Sequence, residues 1–212
     1  MAKQIAGVYE RILDCAKSEF MEKGYNDASL RIIAQNADTS TSSIYTRFGD
    51  KKRLFDALVK GPADEMQRYY CDIQERFSKE PPEYKQRVHF DYAKEKMYEL
   101  VDFIYDHFDA FKLLIDCSEG AGYDNYVHDL VDIEVEYTLD FIESIGNDSL
   151  KTGRLSLELM HILSSGFLRG MFEMVSHNMT RDQAHIYVNQ LKRFYTRGWS
   201  DIFEPVDQGV ER

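Results

Sequence analysis

Long apolar runs are missing from this 212-residue sequence. No stretch approaches the roughly 20 residues that cross a bilayer, and the opening MAKQIAGVYER lacks the apolar core of a signal peptide. A cytoplasmic protein without a membrane partner is the expectation. Cysteine is scarce: Cys15, Cys71 and Cys117 are odd in number and widely separated. That spacing argues against a disulfide framework and a zinc site, and leaves the three to be read as small core residues. Only four prolines occur, and β-type alternation is rare. Apolar residues three and four apart recur from end to end, which predicts an all-α fold of about nine helices. The sequence also lacks a His-Glu-x-x-His pair, a glycine-rich phosphate loop and a nucleophile elbow, and its six histidines are scattered. No catalytic residue, metal site or cofactor is therefore expected.

Positive charge is short as well, but unevenly. Residues 1–60 hold ten Lys/Arg against eight Asp/Glu, whereas residues 61–212 hold sixteen against 29, within a total of −11. A mildly basic head is followed by an acidic body that a polyanion would repel, which orients the head toward such a partner.

The stretch Ser29–Phe55 is where this polarity becomes specific. Ser29 is placed to cap a helix in which Leu30, Ile33, Ala34 and Ala37 form one apolar face. Asn36-Ala37-Asp38 interrupts the pattern, and Ser40 caps a second short helix through Phe48. There Ile44, Tyr45 and Phe48 are the apolar anchors, and Thr41, Ser42, Thr46 and Arg47 are left outside. A short helix with buried anchors and small polar residues on its outer face fits the major groove of DNA. Asp50 then caps a third helix whose first turn holds Lys51, Lys52 and Arg53. Cations there oppose the helix macrodipole, a conflict that an approaching phosphate backbone relieves. A solvated charge cluster is the plainer alternative.

Before this stretch, Val8–Glu22 reads as a helix with Ile12, Ala16 and Phe20 on one face and Gly24 closing it. These elements together resemble the N-terminal DNA-binding domain of the TetR family of bacterial transcriptional regulators. The resemblance covers residues 9–59. It rests on Phe20 with Gly24-Tyr25, Arg31 with Ile33-Ala34, Ile44-Tyr45 with Phe48, and Lys51 with Leu54-Phe55. Ala37-Asp38-Thr39 departs from the usual Ala-Gly-Val, and Ser42 replaces a glycine; aspartate tolerates left-handed backbone, so the turn is expected to form. The resemblance implies a homodimer on a palindromic double-stranded operator, with a C-terminal domain that binds a small-molecule effector and controls DNA affinity, most simply as a repressor. Its DNA contacts would come from Ser40, Thr41, Ser43, Tyr45, Thr46 and Arg47, with Lys51 on phosphate and Ser29 and Arg31 on the backbone.

The rest divides into a connecting helix over residues 51–78 and a helical ligand-binding and dimerisation domain over 79–212, after a DNA-binding domain at 1–50. Gly61-Pro62 predicts a kink, or a break between two helices, near residues 58–62. Further helices are read at 83–107, 108–116, 123–145, 155–177 and from Thr180, a capping box, to about Ile202. At 100° per residue Glu134 falls in the middle of the apolar face of its helix. It is either internally paired or the polar anchor of a ligand cavity. The ligand-facing set expected is Tyr70, Phe103, Phe111, Glu134, Phe141, Met160, Phe167 and Met171; the dimer set is Gly166, Gly170, Phe172, Leu191, Tyr195 and Trp199. An adaptor using the acidic surface, or a helical enzyme with an idle head, are the competing classes.

Overall fold

The computed structural model describes residues 2–204. Among them are ten helices and no strand: α1 (Ala2–Asp27), α2 (Leu30–Asn36), α3 (Thr41–Phe48), α4 (Lys51–Ser78), α5 (Pro82–Asp106), α6 (Phe108–Asp116), α7 (Tyr126–Ser144), α8 (Ser149–Thr152), α9 (Leu157–Ser176) and α10 (Arg181–Phe203). Two compact units emerge. One comprises the chain through Gln67 plus Ile104–Tyr126; the other takes Arg68–Phe103 and the chain from Val127 onward.

In the first unit, Ile12, Ala16 and Phe20 are fully buried along one face of α1, as their four-residue spacing requires. Phe20 meets Phe55 edge-on at 5.0 Å, and Tyr25 closes on Phe55 at 5.4 Å. Gly24 (φ 72°, ψ 169°) supplies the backbone reversal that brings Tyr25 back, a conformation that L side chains avoid. The N–H of Tyr25 then donates to the carbonyl of Cys117 at 2.8 Å, and Lys17 pairs with Asp109 at 2.7 Å. The N-terminal helices are thus stitched to a segment about ninety residues away in sequence. Cys117 is buried, whereas Cys15 and Cys71 are only partly so, a correction to their reading as core. Burial raises the pKa of all three thiols and keeps them protonated.

Gly61-Pro62 neither ends nor splits α4, which is helical from Lys51 to Ser78. An interior proline removes one backbone bond, and the burial of Val59, Ala63 and Met66 on either side of it holds the helix together. Of the two readings, the break between helices is absent.

The second unit packs the rest of α4 with α5 and α7–α10. Ile142, Leu155 and Met160 form a buried cluster flanked by Leu139, Leu150, Trp199, Ile202 and Phe203. Thr180 and Gln183 make both bonds of the capping box at the start of α10. The short α8 was not expected: four residues are too few for periodicity, and Gly146 and Gly153, both at positive φ, bracket it. Asn147 and Arg154 anchor it by donating to the carbonyls of Phe203 and Ile202.

Candidate functional site

The helix-turn-helix is built from local chemistry. Ser29 caps α2 by accepting from the N–H of Ile32, while its own N–H donates to the carboxylate of Glu19 at 3.0 Å. The turn closes with Thr39 N–H on the carbonyl of Ala34 and with Asp38 at φ 50°, the left-handed position expected of it. Ser40 caps α3 through the N–H of Ser43. Ile44 and Phe48 fasten α3 from beneath; Phe48 stacks on Tyr9 at 5.0 Å. Tyr45 is not a third anchor, because it is 54% exposed. Two anchors one turn apart define the buried face of so short a helix, and Tyr45 lies beside it with Ser42 and Thr46 on the outer side.

The polar side chains around α3 are partly committed. Arg47 folds back onto Ser43, bonding its carbonyl at 3.2 Å and its hydroxyl at 2.5 Å, and the Thr46 hydroxyl donates to the carbonyl of Ser42. Arg31 and Ser40 are exposed, while Thr41, Ser43 and Ser29 are half-buried. Lys51 bonds the carbonyl of Asn26 at 3.0 Å and lies 4.9 Å from the centre of the Tyr25 ring, with burial lowering its ammonium pKa. Lys52 pairs with Asp56, and Asp50 caps α4 by accepting from the N–H of Arg53. The crowding of cations at this helix start is therefore relieved in part by the local acids Asp50 and Asp56. Exposed Ser42 and Arg53 are polar groups beside the site that the residue set omitted.

In the second unit a cavity of about 200 Å³ opens between α4, α5, α7, α9 and α10. Its walls are aromatic: Phe77, Tyr92, Tyr137, Phe141, Phe167 and Trp199 are among them. Of the ligand-facing set, Tyr70, Glu134, Phe141, Phe167 and Met171 line it. Three do not. Phe111 is fully buried in the first unit, Met160 belongs to the cluster with Ile142 and Leu155, and Phe103 lies outside the lining. Each was read from its own helix face, which does not reveal which neighbour that face meets.

Glu134 points inward as its helical phase required. Oε2 accepts from the Tyr70 hydroxyl and from the Gln74 amide, both at 2.5 Å. Burial raises the carboxyl pKa above its ordinary value, against the two hydrogen bonds that lower it, and pushes the Tyr70 phenol up as well. The residue keeps partial accessibility, on the side where the cavity lies. No cation pairs with Glu134 among the described residues.

The dimer set also redistributes. Phe172 is buried within its own subunit. A methyl group on Gly166 would stand 2.7 Å from the Tyr195 hydroxyl, and one on Gly170 would stand 3.3 Å from Leu191. The two glycines therefore admit α10 of the same chain, and Tyr187 donates to the Gly170 carbonyl across that contact. Tyr195 and Trp199 line the cavity. The apolar residues left bare are others: Ile162 on α9 and Ile186 and Phe194 on α10, 64%, 62% and 74% exposed. Among the described residues no three metal-ligating side chains converge, and no helix is long and apolar enough to cross a membrane.

The sequence profile of the bacterial regulatory proteins of the tetR family matches residues 12–58. The uncharacterized HTH-type transcriptional regulator YvdT of Bacillus subtilis (strain 168) is 37% identical over 60 residues, which cover 28% of this chain and 31% of that protein. The match thus spans under a third of the curated relative. Two solved structures share the fold at low identity. A TetR-like transcriptional regulator from Rhodococcus sp. RHA1 aligns with TM-score 0.56 at 18% identity, over 91% of this chain and 96% of the other. A Mesorhizobium loti MAFF303099 structure assigned to the TetR family gives 0.53 at 12%, with the same coverage. The matched segment holds the helix-turn-helix, and the fold is shared with these two structures over most of the length of this chain.

Proposed function

We propose that the protein is a cytoplasmic transcriptional repressor that binds a palindromic operator as a homodimer and is released from it by a small-molecule effector. The observation that carries this reading is α3. Ile44 and Phe48 hold it from below, and Ser42, Tyr45 and Thr46 are left facing solvent. Small hydroxyls and one aromatic ring are suited to base edges and phosphates in a major groove, and a dimer sets two such helices about 34–36 Å apart. Exposed Ile162, Ile186 and Phe194 supply an apolar face of the kind that a second copy covers.

The aromatic cavity is the effector site in this reading. One helix, α4, begins at Lys51 and contributes Tyr70, Gln74 and Phe77 to the cavity wall. An effector that displaces those side chains acts on the helix that starts beside the recognition helix. To change operator affinity a hundredfold it must discriminate between the two conformers by about 2.7 kcal/mol.

The test is a mobility shift on the DNA upstream of the protein's own gene. Tyr45→Ala and Lys51→Ala are each expected to weaken retention at least about tenfold, some 1.4 kcal/mol, with the dimer unchanged by sedimentation. Full retention by both variants would exclude α3 as the reading element. Weak salt dependence would point to the adaptor class instead.

A further inference from the structure

We infer that the effector cavity takes an organic monocation, an aromatic or alkyl amine whose N–H group bonds Glu134 and whose apolar body lies among the surrounding rings. The inference rests on the effector reading only for its regulatory meaning; the binding chemistry stands by itself.

Three observations carry it. First, among the described residues Glu134 has only neutral donors, Tyr70 and Gln74, and both reach the same oxygen, Oε2. Oε1 has no hydrogen-bond partner among the described residues, so a carboxylate in an apolar chamber keeps one oxygen for a cationic donor. Second, the chamber is walled by Phe77, Tyr92, Tyr137, Phe141, Phe167 and Trp199, whose ring faces are negative and attract cations. Third, His89 lines the same cavity, and its buried Nε2 has no partner. Nδ1 lies 3.1 Å from the carbonyl of Gln86, which only accepts, so Nδ1 carries the hydrogen of the neutral ring. Burial favours that neutral form. Nε2 is then an unpaired acceptor within the wall, which adds to its negative character but does not itself face the open space.

Two lysines also line the cavity and speak for an anion, but each is already engaged. Lys96 is paired with Glu99 at 2.9 Å, and Lys192 donates to the carbonyl of Phe90. One open carboxylate oxygen and a wall of aromatic residues outweigh one lysine bonded to a carbonyl. The volume of about 200 Å³ is well beyond what one water molecule needs and suits a small organic amine.

Three probes of one size and different charge decide the matter by titration calorimetry on the full chain: 2-phenylethylammonium, 2-phenylethanol and 3-phenylpropanoate. The cation should bind at least about tenfold more tightly than the alcohol, and the anion most weakly. Glu134→Gln keeps an acceptor for Tyr70 and Gln74 but removes the charge. It should erase the gap between cation and alcohol and leave the alcohol unchanged. The comparison within the unaltered protein does not depend on how that variant folds. Preference for the anion, equal binding of cation and alcohol, no binding of any probe at 10 mM, or a preference that survives Glu134→Gln would each overturn the inference. A mobility shift run alongside separates the two readings. DNA retained without probe, together with no cation preference, sinks the ligand assignment alone. A cation that binds as described but never alters DNA retention sinks the effector reading alone.

Discussion

The Tyr70 hydroxyl donates to Oε2 of Glu134 at 2.5 Å, joining two residues 64 positions apart across the wall of the cavity. Neither is a cation, so the bond solvates the carboxylate without neutralising it.

Glu134 sets a pH dependence whose sign is fixed by the direction of its shift. Its carboxyl pKa is raised in the folded protein above the usual 4.5. The folded state therefore holds the proton more tightly, and the contribution of Glu134 is most favourable below pH 4.5 and lost as pH rises through the raised value. Glu134→Gln should raise the denaturation midpoint at pH 7.5, with the gain disappearing at pH 4. Equal gains at both pH values would show that ionisation is not the cause.

Tyr70→Phe leaves Glu134 with Gln74 as its only donor among the described residues. At neutral pH the loss should be about 1–3 kcal/mol, the range for a buried bond to a charged group. In a double-mutant cycle with Glu134→Gln the cost should shrink, giving a coupling of at least about 0.5 kcal/mol by urea denaturation. Additive effects would mean that the contribution of the hydroxyl does not depend on the charge of Glu134.

Ile162→Glu combined with Phe194→Glu should convert a dimer into a folded monomer in sedimentation experiments. Both side chains are largely exposed within the subunit, so helicity and melting of the monomer should change little, by about 0.5 kcal/mol or less per site. Persistence of the dimer would move the interface to another face.

Gly120→Ala probes the loop after α6. Gly120 has φ 79°, and an added Cβ would stand 2.5 Å from Oδ1 of Asn26. Backbone strain alone costs about 1–3 kcal/mol, and the loop must also shift. The loss should appear in chemical denaturation; an unchanged midpoint would mean that neither the positive φ nor the Asn26 contact constrains this loop.

What could be read from the sequence was what is decided locally. Ser29, Ser40 and Thr180 cap their helices because capping involves residues two or three apart. The bounds of α6 and the inward phase of Glu134 follow from periodicity in the same way. Partners across helices were not readable. Phe111, Met160 and Phe172 have apolar faces like those of true cavity or surface residues, and only packing assigns them elsewhere. Gly166 and Gly170 signalled close approach correctly, but not that the approaching helix was α10 of the same chain. The cavity's polar members His89 and Lys192 gave no periodic signal, because each is one polar residue on a half-exposed helix.

The bond from Tyr25 to Cys117, the Lys17–Asp109 pair and the Tyr123 hydroxyl on Asp56 show that the N-terminal unit borrows a return segment. Grafting the first sixty residues onto another protein would leave Phe20, Phe55 and their neighbours short of a lid, so a working chimera should carry Ile104–Tyr126 as well. The same dependence sets a clock during synthesis. At about 5–20 residues per second, the ribosome needs roughly 3–12 seconds after Gln67 to deliver Tyr126, and until then the nascent head waits unfinished.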